Sequence, residues 1–226
     1  MSNPEIDISW KSCFWRRSHR RLVRPFVEGA IELAHQTAEY IGIDYSQPKI
    51  AQIKRCGNSY PAVAENEDAT GFSLFIRVDD YRRRKVEKKF GAYVVASVHE
   101  LTHAARYERF AGWNLIEEIA SEGLAHVAED IASSELGLTE QSFFMDLESC
   151  GYSNHHQTKS ELVTQIEEAN GSEELADIMM DRWFNWSSPY LDEGSVFGII
   201  EVNRRLAEGN TINELLDWPP EKVLDL

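Results

Sequence analysis

Apolar residues return at every third or fourth position between Leu22 and Ile41: Leu22, Val23, Phe26, Val27, Ala30, Ile31, Ala34, Ala38 and Ile41. That rhythm predicts an amphipathic helix from about Arg17 to Ile41. Pro25 fits best in a first turn, which would put the true start close to Arg24. After Pro48, Lys49 to Arg55 is a short strand-like stretch, and Gly71 to Val78, with aromatic and β-branched residues, reads as a second strand. The turn-rich, acidic residues 57–70 separate them. A second helical rhythm, on Phe90, Tyr93, Val94, Ser97, Val98 and Leu101, covers Phe90 to Arg109 and is broken at Gly112. A third covers Leu115 to Ala132. Further helices are expected at 140–149, 160–169, 172–185 and 194–208. Thr211, with Glu214 three residues on, predicts a capping box that opens one more. Helix, small strand region, then helices is the order of an α+β fold, with the strands packed on the Phe90–Arg109 helix.

The chain has 226 residues, which suits one domain. We divide it into an N-terminal arm and helix (1–47), a strand region with the second helix (48–109) and a helical part (110–226). No apolar run approaches the roughly 20 residues of a membrane-spanning helix. The opening MSNPEIDISWKSC lacks the apolar stretch of a secretory signal, so a cytoplasmic location is expected. Cys13, Cys56 and Cys150 are widely spaced and read as reduced thiols. The net charge of -15 is unevenly distributed, with +4 on residues 1–110 and -19 on residues 111–226. That acidity argues against general nucleic-acid binding. The aromatic and basic segment WKSCFWRRSHRR reads as an arm whose arginines face the acidic half. The basic run from Arg82 to Lys89 reads as a solvated loop, and Trp183, Trp186 and Trp218 as packing residues.

The chemistry concentrates in VHELTHAARYE. His99 and His103 lie four apart on a helix, so both imidazoles leave one face and can share a Zn²⁺ ion. Glu100 lies about 100° around the helix from His99, where it can take a proton from water without binding the metal. A catalytic zinc usually takes a third protein ligand and keeps one open position. The following helix offers EEIASEGLAHVAED. Glu122 lies 19 residues after His103, and Glu118 and His126 sit one turn to either side of it. One ligand and one or two supporting partners is the natural allocation among them. Gly123 would allow close helix–helix approach beside the metal. Glu117 and Asp130 read as part of a solvated face.

HELTH followed by ASEGLA resembles a bacterial predicted zinc-dependent protease family of the gluzincin type, in which HExxH precedes EGLA on the next helix. The resemblance spans roughly residues 50–225. It implies a zincin-like fold, a metallopeptidase (hydrolase) activity on peptide or protein substrates, and one Zn²⁺ per chain. It also implies His99, His103 and Glu122 as ligands, Glu100 as general base, and GFSLFIRV as an edge strand lining the substrate cleft. Two positions depart from the family. His126 stands where an acid that orients a ligand histidine is common. Ser195, in GSVFG, stands where a tyrosine would donate to the oxyanion. Tyr190, His155 and His156 are candidate substitutes. A catalytically degenerate zinc-binding protein with a binding or regulatory role is the competing reading.

Overall fold

The computed structural model describes residues 7–10, 17–45, 50–54, 62–65, 72–77, 90–110, 114–138, 155–169, 180, 183–184 and 192–226. Its elements are β1 (Asp7–Trp10), α1 (Arg17–Tyr40), β2 (Ile50–Lys54), β3 (Ala62–Glu65), β4 (Phe72–Arg77), α2 (Phe90–Arg109), α3 (Leu115–Glu135), α4 (His155–Ala169), α5 (Glu193–Ala207), α6 (Ile212–Leu216) and α7 (Pro220–Val223).

The expected α+β class is corrected to a mostly helical fold. Of the residues whose side chains are described, 81% are helical and none lies in a strand. The element lengths give the reason. Helices α1, α2 and α3 run for 24, 20 and 21 residues, and each closes its own backbone hydrogen bonds. The strand-like stretches reach only four to six residues. Their backbones pair in the order β1-β2-β4-β3, parallel except for β3 against β4. Among the residues whose side chains are described, the buried core lies mostly in the helices. Among the described residues, no helix is long and apolar enough to cross a membrane.

The chain divides into two compact units, residues 1–108 with 128–142 and residues 109–127 with 143–226. In the first unit, α1 begins at Arg17 and runs straight through Pro25, which corrects the expected start near Arg24. Proline removes one backbone donor there. The buried stripe of Val27, Ala30, Ile31, Ala34 and Ala38 nevertheless anchors the helix over the next turns. Helix α2 has the expected bounds and is buried on nearly every side, from Gly91 to Arg106. Its buried hydroxyls are satisfied within the helix: Ser97 Oγ donates to the Tyr93 carbonyl at 2.6 Å and Thr102 Oγ1 to the Val98 carbonyl at 2.8 Å.

In the second unit, the first turns of α3 bury Leu115, Ile119, Ala120 and Leu124, and α5 buries Phe197, Ile199 and Val202. The helices touch backbone to backbone. A Cβ built on Gly123 would lie 2.4 Å from the Gly198 carbonyl carbon, and one on Gly198 would lie 2.2 Å from the Ile119 carbonyl oxygen. Trp183 is buried, with its indole N–H donating to Gln165 at 2.7 Å. Trp218 instead carries the Lys222 ammonium 3.4 Å from its ring centre. Thr211 and Glu214 form the expected capping box at the start of α6.

The expected helix at 140–149, most of the one at 172–185, the three cysteines, Trp186 and the basic run from Arg82 to Lys89 lie outside the described residues.

Candidate metal centre

Within the first unit, α2 presents His99, His103 and Tyr107 at successive four-residue steps, one stripe of a single helix face. His103 is buried at 5% exposure, and the His99 side chain is 14% exposed. Their Nε2 atoms stand 3.1 Å apart, with the rings edge to face and their centres 4.8 Å apart. Tyr107 stacks on His103 at 5.9 Å between ring centres and 16° between planes, which holds that imidazole in its plane. Glu100, the next residue along from His99, is partly buried.

The other ring nitrogen of His99 faces a carboxylate. His99 Nδ1 lies 3.4 Å from Glu129 Oε2, from the last turns of α3, and the Glu129 side chain is only 4% exposed. The 3.1 Å contact between the two Nε2 atoms is within hydrogen-bond range, and which ring donates depends on the tautomer. Nitrogens bonded at about 2.0–2.1 Å to one tetrahedral zinc stand roughly 3.3 Å apart, so the observed 3.1 Å fits chelation of a single ion. Among the described residues, both groups of three His and Glu side chains with donor atoms close enough to hold an ion include His99.

Within the second unit, Glu122 and His126 lie one turn apart on α3, with His126 Nε2 3.5 Å from Glu122 Oε2. Both side chains are largely buried, at 12% and 14% exposure. Glu118, one turn earlier, is buried at 4%. Glu117 is buried too, at 2%, which corrects its reading as part of a solvated face; Asp130 is exposed. Asp192 caps α5 by accepting from the Ser195 backbone N–H at 2.8 Å. Burial raises the Asp192 carboxyl above its usual range, against the pull of the bonds from Ser195; the nearby Glu122 charge raises it further and His126 opposes. Ser195 itself is 3% exposed, packed in the first turn of α5. His155 and His156 open α4, and Tyr190 lies outside the described residues.

The spacing therefore anticipated His99 and His103 as a pair. Three contributors carried no assigned role. Tyr107 continues the stripe of the two histidines by one more step of four, a signal present in the sequence. Glu129 lies seven residues after Glu122 on the same helix face, also readable, but its contact with His99 depends on tertiary packing. Asp192 is recognisable only from the cap it forms. No protein-family model, curated protein or solved structure matches this chain. The likeness to the zinc protease family thus stands on HELTH and ASEGLA.

Proposed function

We propose that this chain is a zinc-dependent metallopeptidase acting on peptide or protein substrates in the cytoplasm. One Zn²⁺ per chain is held by His99, His103 and Glu122. The observation that carries this reading is the 3.1 Å convergence of the two histidine Nε2 atoms on one face of α2. Bound zinc supplies a Lewis acid that polarises a carbonyl and acidifies water. Glu100, beside the ligand pair but about 100° around the helix, takes a proton from the attacking water and returns it to the leaving amine. Support for Glu122 as the third ligand comes from the continuity of α3: it precedes Glu129 by two turns, and residues seven apart share a face.

Glu100→Gln tests the assignment. We expect unchanged zinc content and a loss of at least about 10²-fold in turnover on peptide substrates. Full turnover in that variant would overturn Glu100 as the base. A second reading, a zinc protein that binds without hydrolysing, is favoured by the burial of Ser195, which presents no phenol where the resembled family has one. Zinc-loaded wild type with no turnover across a broad peptide screen would select that reading.

A further inference from the structure

We propose that residues 217–226 form a strap fastened by ion pairs at both ends, closed at low ionic strength and loosened as salt rises. The inference stands apart from the zinc reading. At one end, Arg109 Nε donates to the Asp217 carboxylate at 2.6 Å. At the other, three cations from two helices meet on Asp225. Lys159 Nζ of α4 lies at 3.0 Å, and Arg205 and Arg204 of α5 lie at 2.9 Å and 3.2 Å. The bond from Lys159, and after it that from Arg205, holds the Asp225 carboxyl down to about 2, so the carboxylate is ionised throughout the neutral range. Between the two fastenings, Val223 and Leu224 are fully buried.

A single exposed ion pair contributes little, because two long side chains lose freedom and water screens the charge; several charges on one centre are the exception. Residues 111–226 hold only five Lys and Arg against 24 Asp and Glu, and three of the five meet on Asp225. The backbone gives way to this contact. Asp225, with φ at 60°, is the one non-glycine in the left-handed region among the described residues. Arg205 also donates to the Lys222 carbonyl at 2.9 Å, which satisfies the end of α7. The four residues of α7 are too few to hold a helix without such support. The order of the strap therefore depends on the cations that receive it. The Asp217 and Asp225 side chains are 62% and 51% exposed, so dissolved salt reaches both fastenings. Opening would uncover Val223 and Leu224 and release Lys159, Arg204 and Arg205 from Asp225 together.

The test is amide hydrogen exchange on the full chain, wild type beside Asp225→Asn, at about 0.01 M and about 1 M NaCl, where the screening length falls from about 30 Å to about 3 Å. Asparagine tolerates the left-handed backbone and removes only the charge. The Val223 and Leu224 amides donate to the Pro219 and Pro220 carbonyls at 3.1 Å and 2.9 Å, so their exchange reads the closed strap. At low salt these amides should exchange about 10-fold faster in Asp225→Asn than in wild type. At high salt the wild type should speed up until the two agree within about 2-fold. Amides inside α5 should respond to neither change. Equal exchange in the two proteins at low salt overturns the inference, and so does a wild-type strap indifferent to salt. Faster exchange in α5 to the same extent as in the strap also overturns it, because the whole unit would then be loosening. If Asp225→Asn does not fold, the salt series on the wild type decides alone.

Discussion

His99 and His126 each stand beside a glutamate at nearly the same distance, 3.4 Å and 3.5 Å, and at the same side-chain exposure of 14%. The difference lies in which ring nitrogen is engaged. Glu129 lies nearest His99 at Nδ1, and the opposite nitrogen, Nε2, faces His103. Glu122 meets His126 at Nε2, one turn along the same helix. A third histidine sharpens the contrast. His35 is 9% exposed on α1, and its Nδ1 is hydrogen-bonded to the Tyr45 hydroxyl. Burial there lowers the His35 pKa from 6.5 to about 4 and pushes the Tyr45 hydroxyl above its usual value. Burial against a phenol keeps the His35 ring neutral, whereas His99 and His126 each lie beside a carboxylate.

Breaking the His99–His103 pair should have the largest effect. His103→Ala is expected to abolish zinc binding, from about one ion per purified wild-type chain to none, measured by metal content on protein prepared without chelators. One ion retained in the variant would remove the pair from the site.

His35 should give the next largest effect. Its pKa is depressed in the fold, so below about 6.5 the unfolded chain takes up a proton that the folded chain refuses until about pH 4. Stability should therefore fall as pH drops from about 6.5 to 4, by up to about 3 kcal/mol from this group. Urea midpoints across that window check it: the slope should be shallower in His35→Gln, and an unchanged slope would reject the assignment.

The smallest effect should come from His126→Gln. With Nε2 beside the proposed ligand Glu122, His126 acts as a supporting partner, and zinc affinity should weaken about 10-fold. A loss as large as that of His103→Ala would make the two His–Glu pairs equivalent and end the comparison.

Much of the helical frame was legible before the structure. Helix α2 matches its expected bounds at Phe90 and Arg109, α5 is displaced by one residue, and the Thr211–Glu214 box forms as expected. These segments pair a 3.6-residue rhythm with a local start or stop signal, and such information lies within a few residues. The start of α1 was misjudged because Pro25 is a strong local signal that the buried stripe beyond it outweighs. The class was misjudged because short strand-like runs were given equal weight with helices of 20 residues and more. In the site, the proximity of His99 and His103 was readable from spacing alone. The contact of Glu129 with His99 joins residues 30 apart, and only packing brings them together. Glu117 misled because its charge suggested solvent, while its place in the helix put it inside.

The crossing of α3 and α5 at Gly123 and Gly198 has a mechanical consequence. Side chains between two helices act as a compliant cushion that can reshuffle rotamers when one helix shifts. Here main chain rests on main chain, with no such cushion. A displacement at the start of α5, where Asp192 caps the helix, is passed undamped to α3 at Gly123. The residue next to that fulcrum is Glu122.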